Sequence, residues 1–246
     1  MSSGTTGPAD LDRVQQHREI WAARPELRSV YHGFFSQLLS EAGARSPVVE
    51  LGAGPGFFKE FCPSLISTDF IPTSWVDVVC DGCVMPFHGE SVGAIVMLDV
   101  LHHLPHPLDF MTEATRVLRP GGVIVMIEPW ITPASYLMYR YFHQEDCILK
   151  IDLQSPFQSN GKNAFDGNTT IPYNLVRHFT QMPAGPLRLV RVDPFLGLPY
   201  LATLGFKLNR PIPQLVIRAS RAFEKLLGPL GRWNATRALL VWEKRF

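Results

Sequence analysis

Apolar and aromatic residues along this chain recur with two periods, and each change of period marks an element. Leu11, Val14, His17, Ile20 and Trp21, then Leu27, Val30, Tyr31, Phe34, Phe35, Leu38 and Leu39, have helical spacing, with Pro25 between the sets. Two helices are therefore predicted from Asp10 to about Gly43, behind a flexible tail at residues 1–8. Short continuous apolar runs follow at Val48–Leu51, Leu65–Asp69, Val76–Asp81, Val92–Leu98 and Val123–Glu128, as expected of strands buried on both faces. A helix over Leu108–Leu118 is ended by Pro120-Gly121-Gly122. Beyond Glu128, helices are predicted around Tyr136–Phe142, at Pro172–Gln181 and at Leu215–Leu227, with a sixth strand at Leu187–Val192. The last strand, Arg237–Lys244, sets Ala238, Leu240 and Trp242 against Leu239, Val241 and Glu243 on its two faces.

The junction after the first strand carries the chemistry. In Val48-Val49-Glu50-Leu51-Gly52-Ala53-Gly54-Pro55-Gly56-Phe57-Phe58 an apolar run ends in an acid and a glycine cluster, the pattern of a buried strand turning sharply into a helix. Glycines there reach positive φ without a Cβ clash and let a ligand lie on the backbone. The dinucleotide fingerprint wants a small residue where Phe57 stands, which disfavours a nicotinamide oxidoreductase. No Lys-Ser or Lys-Thr pair follows the glycines, so a P-loop is excluded as well.

What remains, E-x-G-x-G-x-G, followed by Leu65-Ile66-Ser67-Thr68-Asp69, by Asp81 with Met85-Pro86-Phe87, by Val100-Leu101-His102-His103-Leu104-Pro105 and by Leu118-Arg119-Pro120-Gly121-Gly122, resembles the class I S-adenosylmethionine-dependent methyltransferases over residues 46–128. The resemblance implies an α/β Rossmann-like three-layer sandwich: a seven-stranded, mostly parallel sheet with an antiparallel last strand, plus N-terminal helices and two insertions. It implies S-adenosyl-L-methionine as cofactor, seated on the turn Gly52, Ala53, Gly54 and Gly56, with Glu50 orienting the methionine end. Asp69 would accept the ribose hydroxyls and Phe70 would pack on the adenine. Asp81, beside Gly82, would take the adenine amino group, and the backbone of Met97 and Leu98 would edge that pocket. N-terminal helices commonly cover the cofactor in this family, which makes Tyr31, His32 and Phe35 candidate lid residues beside the plainer reading of packing on the sheet. About a dozen residues separate Asp69 from Asp81, so the usual second helix is reduced to Pro72-Thr73-Ser74-Trp75. That shortening supports the competing reading of a non-catalytic binding or assembly protein. The acids at positions 50, 69 and 81 argue against it, since a scaffold has no need of them.

Composition narrows the partners. A chain of 246 residues, 46% hydrophobic and 18% charged, is long enough for one packed domain with additions, here residues 46–246 with insertions at about 130–171 and 195–234, preceded by residues 1–45. Formal charge +1 gives no basic footing for nucleic acid, so a small-molecule or lipid-linked acceptor is expected. Without an apolar secretory core or a long apolar run, a cytoplasmic location is the expectation. Cys80-Asp81-Gly82-Cys83 lacks the second pair of a four-sulfur zinc site and does not open a helix as a redox motif should.

Methyl transfer by displacement needs alignment and sometimes a base. His103 is best placed in sequence for that role, with His143 and Glu145 as rivals. His102, His103 and His106 are close enough in sequence to suggest a metal, but no acid-rich partner set lies nearby in sequence, and the reading is no metal. Residues 131–171 mix aromatic and polar groups after the fifth strand, over the carboxyl ends of the sheet, and are expected to form the acceptor pocket. Residues 195–231 pair an apolar stretch, Phe195–Leu201, with a helix carrying Arg218, Arg221 and Lys225, a pattern that suits peripheral membrane contact or packing on the domain itself.

Overall fold

The computed structural model describes residues 7–142, 145–155, 167–181 and 185–245. Helices α1 (Pro8–Ala23) and α2 (Pro25–Ala42) each begin on a proline, whose fixed φ and missing N–H suit the first helical turn. The chain then runs through β1 (Val48–Leu51), α3 (Phe57–Phe61), β2 (Ile66–Asp69), β3 (Val78–Val79) and β4 (Val92–Leu98). A 3₁₀ turn at Leu101–His103 leads to α4 (Pro107–Val117), β5 (Leu118–Pro129) and α5 (Pro133–Phe142). Helix α6 (Ile171–Gln181), β6 (Leu187–Phe195), α7 (Leu198–Thr203), α8 (Gln214–Leu227), α9 (Pro229–Trp233) and β7 (Arg237–Lys244) complete it.

Among the described residues the strands form one seven-stranded sheet in the order β3-β2-β1-β4-β5-β7-β6. Pairings from β3 to β5 are parallel, and β7 runs antiparallel to both neighbours. Side-chain alternation divides the interior in two. Ile95, Met97, Ile124, Met126, Ala238, Leu240 and Trp242 point to a core shared with Phe110, Ala114 and Val117 of α4 and Leu175 of α6. Ala94, Val96, Val125, Leu239 and Val241 point to a second core, filled by Leu27, Val30, Phe34, Phe35 and Leu38 of α2. The two faces predicted for the last strand are the two observed.

Several boundaries move. Helix α1 starts at Pro8, so the tail is shorter than predicted, and residues 1–6 fall outside the described residues. The third strand keeps only Val78 and Val79. The fifth begins at Leu118, which pairs with Val92, before the register jumps to Val123 opposite Ala94. The intervening residues loop out at Gly121, φ +74°, and a Cβ on Gly122 would meet the Arg119 carbonyl at 2.8 Å, so the glycine pair shapes a bulge inside the strand instead of preceding it.

One polar staple fixes how the N-terminal helices sit. Arg24 at the α1–α2 elbow is wholly buried; its Nε donates to Glu26 at 2.7 Å, and its Nη atoms donate to the carbonyls of Thr203, Gly205 and Leu208 at 2.7–2.8 Å. Glu26 also accepts the Ile212 N–H at 3.1 Å. Every nitrogen of that guanidinium therefore has an acceptor and four of its five N–H groups are matched, the condition under which a buried cation is tolerated.

Candidate active site

The turn after β1 is built from glycines for two separate reasons. Gly52, Gly54 and Gly56 have φ of +75°, +48° and +78°, where side-chain-bearing residues are strained. A Cβ on Gly52 would stand 2.4 Å from the Val100 side chain and one on Gly56 2.5 Å from the Trp75 ring, whereas Gly54 faces open space. The turn is thus clamped at both ends and open at its apex. Gly52 and Ala53 donate their N–H groups to the Thr68 carbonyl, both at 2.9 Å, which holds the turn beside the end of β2.

Trp75 replaces the missing second helix. Its Nε1 donates to the Gly54 carbonyl at 2.7 Å, and Arg18 of α1 lies 4.5 Å over the indole ring while donating to the Pro55 carbonyl. Phe57, too large for a dinucleotide site, stacks on Trp21 of α1 at 3.9 Å. Sequence reading passed over Arg18 and Trp75; an aromatic residue in a connection too short for a helix was the available signal.

The predicted cofactor residues come together along the carboxyl ends of β1 to β4. Glu50 is buried, and its Oε2 has no hydrogen-bond partner among the described residues. Burial, reinforced by the nearby Asp69 charge, pushes its carboxyl up to about 8. Asp69 accepts the Gly54 N–H at 2.7 Å on Oδ2 and the Ile71 N–H at 2.8 Å on Oδ1, leaving a lone pair on each oxygen. Burial raises its pKa and these N–H donors hold it back. Asp81 is exposed with Oδ1 accepting the Cys83 N–H at 2.8 Å, and Gly82 lies where a Cβ would meet Leu51 at 2.8 Å. Phe70 is 40% exposed, Met97 is buried and Leu98 half-buried. These residues suit a ligand with an ammonium and a ribose but no phosphate: an orphaned acid under an uncharged turn, then a row of acids at successive strand ends. Burial raises the thiol pKa of Cys80 and Cys83, that of Cys83 to about 12, so neither is the thiolate that redox or metal chemistry at neutral pH would use.

His102 is a clamped cation. Its Nδ1 lies 2.6 Å from Glu128 Oε2 and its Nε2 3.1 Å from Glu145 Oε2, while Glu128 Oε1 accepts the N–H groups of Val100 and Leu101 at 2.8 and 2.7 Å. Burial works against the charge, but Glu145 and Glu128 overcome it and raise the imidazole to about 10. Glu145, expected as a candidate base, is therefore committed to an ion pair, and His143 lies outside the described residues. His103 is half-buried with its ring 4.1 Å from that of His102, and Gly167 packs against both: a Cβ there would stand 2.7 Å from His103 Nδ1. One ligand atom each from His102, His103 and Glu145 lies within 4.8 Å of the others, as do those from Asp99, His102 and Glu128. A cation at either group would have to displace the proton that His102 holds.

A second charged group was missed in sequence. Asp99, at φ +57° just past β4, pairs with Arg237 at the start of β7. Arg237 is buried, 4.6 Å from the Tyr200 ring and 5.2 Å from that of Phe34. Burial pushes the phenols of Tyr31, Tyr139 and Tyr200 up, so they stay protonated as donors. Tyr31 thus stands beside Arg237, whereas Phe35 stacks on Phe58 at 4.3 Å in the core and His32 is exposed with its ring 4.8 Å from that of Phe61. Only long-range pairing between β5 and β7 brings Asp99 to Arg237, and no local pattern announces it.

Residues 49–126 match the family model described as a methyltransferase domain. An uncharacterized methyltransferase of Mycobacterium leprae is 28% identical over 102 residues, 41% of this chain and 35% of that protein. A human probable tRNA methyltransferase 9B is 25% identical over 158 residues, 57% of this chain and 34% of that one. The chain thus spans about a third of the length of these relatives. Among solved structures, a putative sarcosine dimethylglycine methyltransferase from Galdieria sulphuraria shares the fold with TM-score 0.50 at 16% identity, covering 87% of this chain and 84% of that one. Residues 49–126 thus match a methyltransferase domain, and the sheet order is that of a Rossmann-like methyltransferase fold.

Proposed function

We propose that this protein transfers the methyl group of S-adenosylmethionine to an O, N or C nucleophile of a small or lipid-linked acceptor. The observation that carries the reading is Glu50: a buried carboxylate oxygen without a partner, next to a turn whose apex is open at Gly54. An ammonium group would satisfy it, and the amino end of the cofactor supplies one. Asp69 then holds the ribose hydroxyls with its remaining lone pairs, and Asp81, Gly82, Phe70, Met97 and Leu98 frame the adenine.

The bound cofactor supplies a methyl group activated on a positively charged sulfur; this chain's residues align the acceptor and handle its proton. The acceptor side lies past β4, where Asp99, Tyr31 and Tyr200 surround Arg237 and His103 borders the segment at Gly167. His103 is the base in this reading, because His102 is already protonated and Glu145 is held by it. The insertions after β5 and β6 shape the pocket. An RNA acceptor, raised by the name of the human relative, is disfavoured by a formal charge of +1.

Calorimetric titration with S-adenosylmethionine, S-adenosylhomocysteine and NADH tests the site. Micromolar binding of the first two but not the third, lost in Asp69→Ala and in Asp81→Ala, is expected; absence of binding by either would overturn the reading. Given binding, a methylation screen that includes a tRNA pool distinguishes the acceptor classes, and a screen without turnover would favour a binding protein built on the same fold.

A further inference from the structure

Helix α8 is turned inside out. Its domain-facing side is Ile217, Ser220, Glu224 and Leu227, spaced three and four apart, of which Ile217 alone is fully buried. The opposite side, Leu215, Ala219, Ala222 and Leu226, recurs at the same helical spacing with Val216 and Phe223 along its edge, and it faces solvent. Exposure there is large: 75% for Leu215, 54% for Phe223 and 82% for Leu226, with Leu230 and Trp233 of α9 adding 67% and 78%. A surface helix normally buries its apolar stripe against the domain, so a stripe facing outward marks a contact with something else.

Charge identifies the occupant. Arg218 and Lys225 lie together on one flank of the stripe and are exposed, and Arg232 stands exposed on α9 next to Trp233. The one acid of α8, Glu224, is turned under the helix, where it accepts the Gly197 N–H at 2.7 Å. A second copy of this chain would set cationic flank against cationic flank, whereas an anionic lipid surface complements it. No helix among the described residues is long and apolar enough to cross a membrane, so α8 would lie in the plane of the interface, about 20 Å of it along the surface. Tryptophan at the edge of such a face is suited to the headgroup level.

We propose that α8 and α9 dock this protein on anionic membrane, with Leu215, Phe223, Leu226, Leu230 and Trp233 entering the interface and Arg218 and Lys225 meeting lipid headgroups. In the apolar stretch Phe195–Leu201, read from sequence as membrane contact or packing on the domain, Phe195 and Tyr200 pack against Phe34. The proposal rests on α8 and α9, and it stands independently of the methyl-transfer reading.

Flotation of the full chain with vesicles of phosphatidylcholine alone, or with added phosphatidylglycerol, tests it. Binding is expected only with the anionic lipid, weakened by salt and abolished by Phe223→Glu with Leu226→Glu. Arg218→Glu with Lys225→Glu should weaken it about tenfold or more. Both variants change exposed positions and should keep the wild-type melting temperature and circular dichroism. The proposal is overturned by absence of binding to either vesicle, by binding that both double variants retain, or by a micromolar dimer that Phe223→Glu with Leu226→Glu dissolves.

Discussion

In the proposed function a single side chain, Glu50, would couple ligand binding to pH. Its folded pKa of about 8 lies above the ordinary carboxylate value, so the empty protein holds a proton there at neutral pH. Stability contributed by that proton is present below about pH 4.5 and is lost as pH rises toward 8. An arriving ammonium reverses the preference, and the proton must leave. Calorimetry at pH 7 in buffers of different ionisation enthalpy should therefore show proton release on S-adenosylmethionine binding, with affinity rising between pH 6 and 8; Glu50→Gln should bind more weakly and release none. Buffer-independent heats in the wild type would contradict this account of the acid.

His102 titrates in the opposite sense. A pKa of about 10 means its charge stabilises the fold fully below the unfolded value of 6.5 and ceases to do so as pH rises through 10. His102→Ala strands Glu128 and Glu145 without their cation and should cost about 3–5 kcal/mol, the range for breaking a buried pair. Thermal melts from pH 6 to 11 check both statements: the wild type should lose stability toward the alkaline end and the variant should show much less of that loss. Neither Glu50 nor His102 could be assigned a protonation state from sequence, because desolvation and partner distance are properties of the fold.

Among the elements, the strands were legible and the connections were not. Alternation on β7 and the continuous run of β4 depend only on local period, and both were readable from residue order. The bulge at Gly121, the two-residue β3 and the role of Trp75 depend on what packs against them. Trp75 supplies a direct test. Removing its ring leaves the Gly54 carbonyl without its donor and takes the aromatic face from under the Arg18 guanidinium, so Trp75→Ala should weaken S-adenosylmethionine affinity about tenfold, by loosening the turn, in the same titration. Unchanged affinity with unchanged melting would show that the turn holds its shape unaided. The candidate site divides the same way: the acids at strand ends were visible, whereas the Asp99–Arg237 pair spans 138 positions and had no local signature.

For the whole molecule, the staple at Arg24 orders events in time. Its carbonyl acceptors lie 179 to 184 positions downstream, so the pocket of that guanidinium cannot be completed while the chain between them is still being made. Contacts of such sequence separation form late, after loop closure over most of the chain. Until then α1 and α2 carry an ion pair with no carbonyl cage and a face of Leu27, Val30, Phe34 and Phe35 that has not met all its partners. A nascent chain stalled before residue 203 should thus be cleaved by protease within α1 and α2, and the full-length chain, with β7 in place, should not, which makes the elbow at Arg24 a reporter of when synthesis has become folding.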